Sequence, residues 1–155
     1  MEKMKIYIDR LRGSQTLEID ETLSPDFLDI HETELSFKDP VHLHIEAYLA
    51  NDHLILHVNV DTSAYLPCSI CNTSVHTPII IKNICLTKPL AEIEGAIFDM
   101  TEEVRETILL QTPLFTECHN GKCPDREVIN KFIRPHENKQ SSADVVHFPF
   151  ADLDK

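Results

Sequence analysis

Glycine is scarce in this 155-residue chain, with 3 in all. Phosphate-cradling loops need glycine where the backbone must approach an anion closely, and neither a GxGxxG nor a P-loop sequence occurs. No HExxH or GxSxG sequence occurs either, so no familiar catalytic signature is present. No run approaches the roughly 18 consecutive apolar residues of a membrane-spanning helix. The opening MEKMKIYIDRLRG lacks the apolar core and small-residue cleavage site of a secretory signal, so the expectation is a cytoplasmic protein with no membrane partner. Cations are also in deficit. Fourteen Lys and Arg face 26 Asp and Glu, a formal charge of −12. Nonspecific affinity for nucleic acid comes from cations that displace counterions, so on average this surface repels a phosphate backbone.

The acids are not spread evenly. Residues 14–62 hold eleven acids against Lys38, and residues 89–106 hold six against Arg105. Residues 63–88 hold no acid at all. The hydrophobic share of 42% supports a globular domain with its own core.

Hydrophobic periodicity is clearest at 41–61, which reads as a β-hairpin. Val41, Leu43, Ile45, Ala47 and Leu49 alternate with polar residues, as do Leu54, Leu56, Val58 and Val60, with Asn51-Asp52 as a two-residue turn. That register sets Tyr48 opposite Ile55, Glu46 opposite His57, His44 opposite Asn59 and His42 opposite Asp61. His42, His44, His53 and His57 then share the outward face with Glu46, as cross-strand acid–histidine neighbours. Residues 75–87 read as a further strand, which Pro78 assigns to an edge or a bulge. Residues 4–8 and 15–19 read as short strands, and 25–30 as a helical turn.

One good helix is expected over 101–111. Asp99 or Thr101 can cap it, Glu102 and Glu103 suit its N-terminal dipole, Val104 and Ile108 share a face, and Pro113 ends it. The expected fold class is α+β: an antiparallel, partly barrel-like sheet with one main helix, and a C-terminal segment stapled by zinc. Residues 1–134 form the domain, and 135–155 a flexible tail with a short docking motif at 145–153.

The sharpest chemical signal is cysteine spacing. Cys68 and Cys71 form a CxxC pair, and Cys118 and Cys123 a second, wider pair in which Gly121 lets the backbone curl. In a reducing compartment such pairs are metal ligands, redox pairs or unmetallated thiols. Four ligands from two distant short-spaced pairs suit tetrahedral zinc, and a filled tetrahedron leaves no place for a reactive water, so such a zinc would be structural. His119 competes with Cys118 as a ligand. The fifth cysteine, Cys85, falls in a strand and reads as a buried hydrophobe.

Several features together resemble the YceD family of bacterial and plastid proteins. They are Leu66-Pro67-Cys68-Ser69-Ile70-Cys71 after a long strand, a helix running into Gln111-Thr112-Pro113-Leu114, then Cys118, Gly121-Lys122-Cys123-Pro124, and a closing Phe148-Pro149-Phe150-Ala151-Asp152-Leu153. Ile70 stands where the family usually has arginine, and the likeness covers the part of the chain from about residue 55 onward. The family is implicated in accumulation of 23S ribosomal RNA. The resemblance implies a non-catalytic role in ribosome biogenesis, with ribosomal RNA or a large-subunit ribosomal protein as partner and no small-molecule substrate. A metal joining the two cysteine segments is expected to concentrate Lys82, Lys88, Lys122, Arg126, Lys131 and Arg134 as an RNA-contacting set. The competing readings are a metal-dependent nuclease using the scattered carboxylates and a thiol oxidoreductase using the CxxC pair.

Overall fold

The structure, a computed structural model, describes residues 4–133. Arg134, the expected tail at 135–155 and its docking motif at 145–153 lie outside the described residues. Along the chain run β1 (Lys5–Tyr7), β2 (Leu17–Leu23), β3 (Val41–Ala50), β4 (His53–Pro67), β5 (Ser74–Pro89) and β6 (Ile97–Asp99). Two helices follow, α1 (Thr101–Gln111) and the short α2 (Arg126–Asn130). The architecture is α+β with antiparallel pairing in both sheets: a four-stranded sheet in the order β2-β3-β4-β5 and a two-stranded ribbon of β1 and β6.

The β3–β4 hairpin has the register its alternation predicts, with His42 opposite Asp61, His44 opposite Asn59, Glu46 opposite His57 and Tyr48 opposite Ile55. Asn51 turns the chain at φ 53°, a left-handed conformation that asparagine tolerates better than most residues. Ile45, Ala47, Leu54, Leu56 and Val58 on the inner face are almost wholly buried. Each large aliphatic side chain so buried contributes about 1.5–3 kcal/mol, which makes this face the main source of stability.

The cover over that face is helical and not a continuation of the sheet. Val104 and Ile108 of α1, both fully buried, share one core with Leu28, Met4, Ile6 and Met100. The N-cap is Met100, which makes no side-chain cap, so neither Asp99 nor Thr101 caps the helix as expected; Asp99, one residue earlier, accepts the Thr101 amide at 3.0 Å. Arg105 Nε donates to the Leu28 carbonyl at 2.7 Å, tying α1 to the 3₁₀ turn at Pro25–Leu28.

The barrel-like closure expected from the sequence does not occur, because β2 and β5 remain edges of an open sheet. With α1 and the small ribbon already covering the inner face, the core is sealed without closure. Pro78 fits the edge strand β5, where it lies opposite Ser63.

A second expectation also fails, and its cause is a β-bulge. The β4–β5 register shifts between Val58 and Val60, where Asn83 takes φ 55° and donates its amide to the Asn59 side-chain oxygen at 2.7 Å. One extra residue inverts the facing of everything beyond it. Ile79 and Ile81 point inward before the bulge, and Ile84 and Leu86 after it. Cys85, read as a buried hydrophobe, is therefore exposed, opposite His57.

Candidate metal centre

Both cysteine pairs stand on short backbone turns at the same end of the sheet. The first occupies the β4–β5 connection, where the Cys68 amide donates to the Thr73 carbonyl at 2.8 Å and the Asn72 amide to the Cys68 carbonyl at 2.9 Å. Asn72, at φ 60°, supplies the left-handed step that closes this turn. The second pair follows α1 on an arm laid beside the turn. Thr116 bridges to Cys68, and its carbonyl accepts the Ser69 amide at 2.8 Å and the Ser69 hydroxyl at 3.1 Å. Between Cys118 and Cys123 the chain curls through three left-handed residues, His119, Asn120 and Gly121, at φ 54°, 54° and 85°. Gly121 meets no steric cost there, and asparagine and histidine are among the side chains that bear it best.

These turns bring the sulfurs of Cys68, Cys71, Cys118 and Cys123 within 4.8 Å of one another. A tetrahedral zinc with Zn–S bonds of about 2.3 Å sets its sulfurs about 3.8 Å apart, so the donor set fits such an ion. Cys71 and Cys118 Sγ lie 3.6 Å apart, well beyond a disulfide bond of about 2.05 Å, and all five cysteines are free thiols. Four cysteines so placed could hold a metal ion. Cys68, Cys118 and Cys123 are buried and Cys71 half-buried. His119 is exposed and stays out of the group, so the competition with Cys118 goes to the sulfur.

The thiols sit in two different electrostatic settings. The backbone amide of Cys71, then that of Cys118, hydrogen-bond to the Cys68 sulfur and bring its pKa down to about 6, against the opposing effect of burial. The Thr73 hydroxyl, 3.2 Å from Cys71 Sγ, lowers that thiol as well. Burial pushes the Cys118 and Cys123 thiols up. One pair is thus poised to ionise and the other resists doing so. A bound divalent cation would favour all four thiolates together.

Sequence reasoning missed the support around the cysteines. Glu117 accepts the Cys123 amide at 3.0 Å and pairs with both nitrogens offered by Arg126, at 3.0 and 2.5 Å. That fork, with the Cys123 amide, draws the Glu117 carboxyl down to about 2. The adjacency of Glu117 to Cys118, with Arg126 one short turn beyond Cys123, was the available signal.

The expected RNA-contacting cations are not gathered at one place. Arg126 has its guanidinium committed to Glu117. Lys122, inside the second cysteine pair, and Lys131, beyond it, are exposed. Lys82 and Lys88 lie eight and fourteen residues along β5 from Ser74, toward the other end of the strand. Lys88 is also 3.9 Å from Glu103 and 6.0 Å from the Phe98 ring centroid.

On the histidine face the acid contacts are those of His44, a close one to β2 and a longer one to its own strand, in place of the cross-strand pairs expected within the hairpin. His44 Nδ1 is 2.6 Å from Asp20, with Nε2 3.8 Å from Glu46. His42 Nδ1 lies 3.0 Å from the Thr22 hydroxyl, and His57 Nε2 3.2 Å from the Tyr48 hydroxyl. Among the described residues, the four cysteines form the single group of metal-ligating side chains that converges closely enough to hold an ion. No helix among the described residues is long and apolar enough to cross a membrane. No protein-family model, curated protein or solved structure matches the chain, so the site is read from its own chemistry.

Proposed function

We propose that this chain is a non-catalytic factor of large ribosomal subunit production, of the YceD type, whose C-terminal arm is stapled by a structural zinc. The observation that carries the metal part is the convergence of four sulfurs, three of them in buried residues, within 4.8 Å of one another. Thiolate donors select soft or borderline metals, and four of them leave no open position at which a water could be activated. Such a centre supplies folding energy to the segment it joins. The role in 23S ribosomal RNA production rests on the resemblance of the cysteine segments and the flanking helix, and a cytoplasmic location goes with it.

The metal part is tested by elemental analysis of protein purified without added zinc, for which near-stoichiometric zinc is expected. The ribosomal part is tested in cells lacking the protein, where 23S ribosomal RNA should fall and a Cys68→Ser, Cys123→Ser double variant should fail to restore it. Normal RNA levels in such cells would remove the ribosomal assignment and leave the zinc staple standing. Co-purification before and after RNase separates an RNA partner from a ribosomal protein. One observation favours thiol redox chemistry instead, namely the depressed thiols of buried Cys68 and half-buried Cys71, and near-stoichiometric zinc on the four sulfurs would remove that reading.

A further inference from the structure

Exposed apolar side chains of large size are unevenly placed on this protein. Leu114 and Phe115 stand next to each other at 88% and 81% exposure, on the arm between α1 and the cysteine turn. An exposed leucine alone needs no explanation, but adjacent ones at the mouth of a groove do. Here they border a groove of about 610 Å³ whose floor includes Leu35, Leu66, Leu109 and Pro113.

This stretch is held, not loose. Thr116, directly after Phe115, is fastened to Ser69 by two hydrogen bonds and bridged to Cys68. Pro113 and the Thr112 amide, which donates to the Ile108 carbonyl at 3.1 Å, fix the other side. Leu114 and Phe115 are therefore presented to solvent by a braced backbone, which lowers the entropy cost of binding something there.

The exposed charge at the edge of the groove is acidic. Glu32 and Glu34 are both exposed on its rim, and among the described residues neither is paired with a cation. The lining cation, Arg105, is already engaged with the Leu28 carbonyl and lies 3.8 Å from Glu102. An apolar floor with an unneutralised acidic rim complements a segment that carries apolar anchors flanked by Lys or Arg. A polyanion is repelled from the same rim.

We propose that the groove between the 30–35 segment and the arm at Pro113–Phe115 is a docking site for a basic, amphipathic segment of a partner protein. Leu114 and Phe115 supply the apolar anchors, and Glu32 and Glu34 the charge selection. The groove shares Cys68 and Ser69 with the cysteine centre and so rests on that centre holding the arm, but it does not rest on the ribosomal assignment.

The test uses the full chain and a fluorescent amphipathic peptide of Lys and Leu, with its Glu/Leu and Lys/Ser counterparts as controls. The Lys/Leu probe should bind, and both counterparts should bind at least about tenfold more weakly. Leu114→Ser with Phe115→Ser should weaken the Lys/Leu probe about tenfold or more, as should Glu32→Lys with Glu34→Lys, the latter also flattening the salt dependence. Leu110→Ser, an exposed leucine outside the groove, should leave binding unchanged. All substituted side chains are exposed, and unchanged zinc content and circular dichroism confirm that each variant is folded. Equal binding by the Leu114/Phe115 variant, or equal binding of the Glu/Leu peptide, overturns the proposal. Displacement of the probe by a peptide of residues 134–155 would assign the groove to the chain's own end. A dimer dissolved by the Leu114/Phe115 variant would assign it to a second copy, and displacement by single-stranded RNA would assign it to nucleic acid. Any of these three results also overturns the proposal.

Discussion

Replacing Cys123 with serine keeps nearly the same shape while removing one soft donor from the centre. Cys123 is 4% exposed and belongs to a small cluster with Cys68 and Cys118 that shares no member with the main core. Apart from any metal bond, the arm is fastened to the sheet by the two Ser69–Thr116 hydrogen bonds, the Cys118 amide to Cys68 Sγ at 3.4 Å, and a 3.5 Å contact between the Thr77 and Thr116 hydroxyls. At about 1 kcal/mol net for each good bond, these amount to about 3 kcal/mol, against on the order of 10 kcal/mol for a four-ligand zinc. The metal outweighs the rest. In Cys123→Ser, or in the parent treated with a chelator, the amides of Cys118, Cys123 and Arg126 should lose their protection in hydrogen-exchange mass spectrometry. Those of Ile45 and Val58, deep in the β3–β4 ladder, should keep theirs. Arm and sheet would then be separate cooperative units. If the arm stays protected with no metal bound, or if the sheet melts with it, the reasoning about the clamp is wrong.

Other consequences are simpler to measure. A thiol reagent such as DTNB should titrate one cysteine quickly in the native protein, Cys85, and the remaining four only after chelation; a silent Cys85 would contradict the bulge at Asn83. Ile108→Ala should cost about 2–5 kcal/mol in chemical denaturation, since Ile108 is fully buried in the core, while Leu110→Ala should change stability by about 0.5 kcal/mol or less. His44 should titrate above its ordinary value of 6.5, because its hydrogen bond to Asp20 favours the imidazolium, with further support from the charges of Glu46 and Glu18. Its stabilising contribution is complete below about pH 6.5 and is lost as pH rises through the raised value. Asp20→Asn should bring the NMR-detected midpoint of His44 down, and an unmoved midpoint would refute the pairing.

The elements read correctly are those whose information is local. The β3–β4 hairpin followed from an alternation of period two around an Asn-Asp turn, and helix α1 from an acid-rich start, two apolar positions four apart and a proline stop. The cysteine set was legible for a similar reason, since ligand spacing within each turn is a matter of a few residues. Barrel closure and the facing of Cys85 were not legible. Closure depends on whether another element reaches the open face first, and nothing in β2 or β5 reports that α1 will. The facing of Cys85 depends on one unpaired residue at Asn83, stabilised by Asn59 on the neighbouring strand. A strand read alone runs with unbroken parity.

The sequence by itself determined the period of the β3–β4 hairpin, the limits of helix α1 and the two cysteine turns, because each rests on contacts within one turn or one hairpin. Only the tertiary structure decided that the two turns, 47 or more residues apart, meet as one four-sulfur group. It likewise decided that Arg126 faces Glu117, that the cations of β5 stand far from those of the arm, and that Leu114 and Phe115 border an acidic-rimmed groove. Proximity between distant segments is set by how the packed layers place the ends of their strands. No residue carries that information within its own neighbourhood.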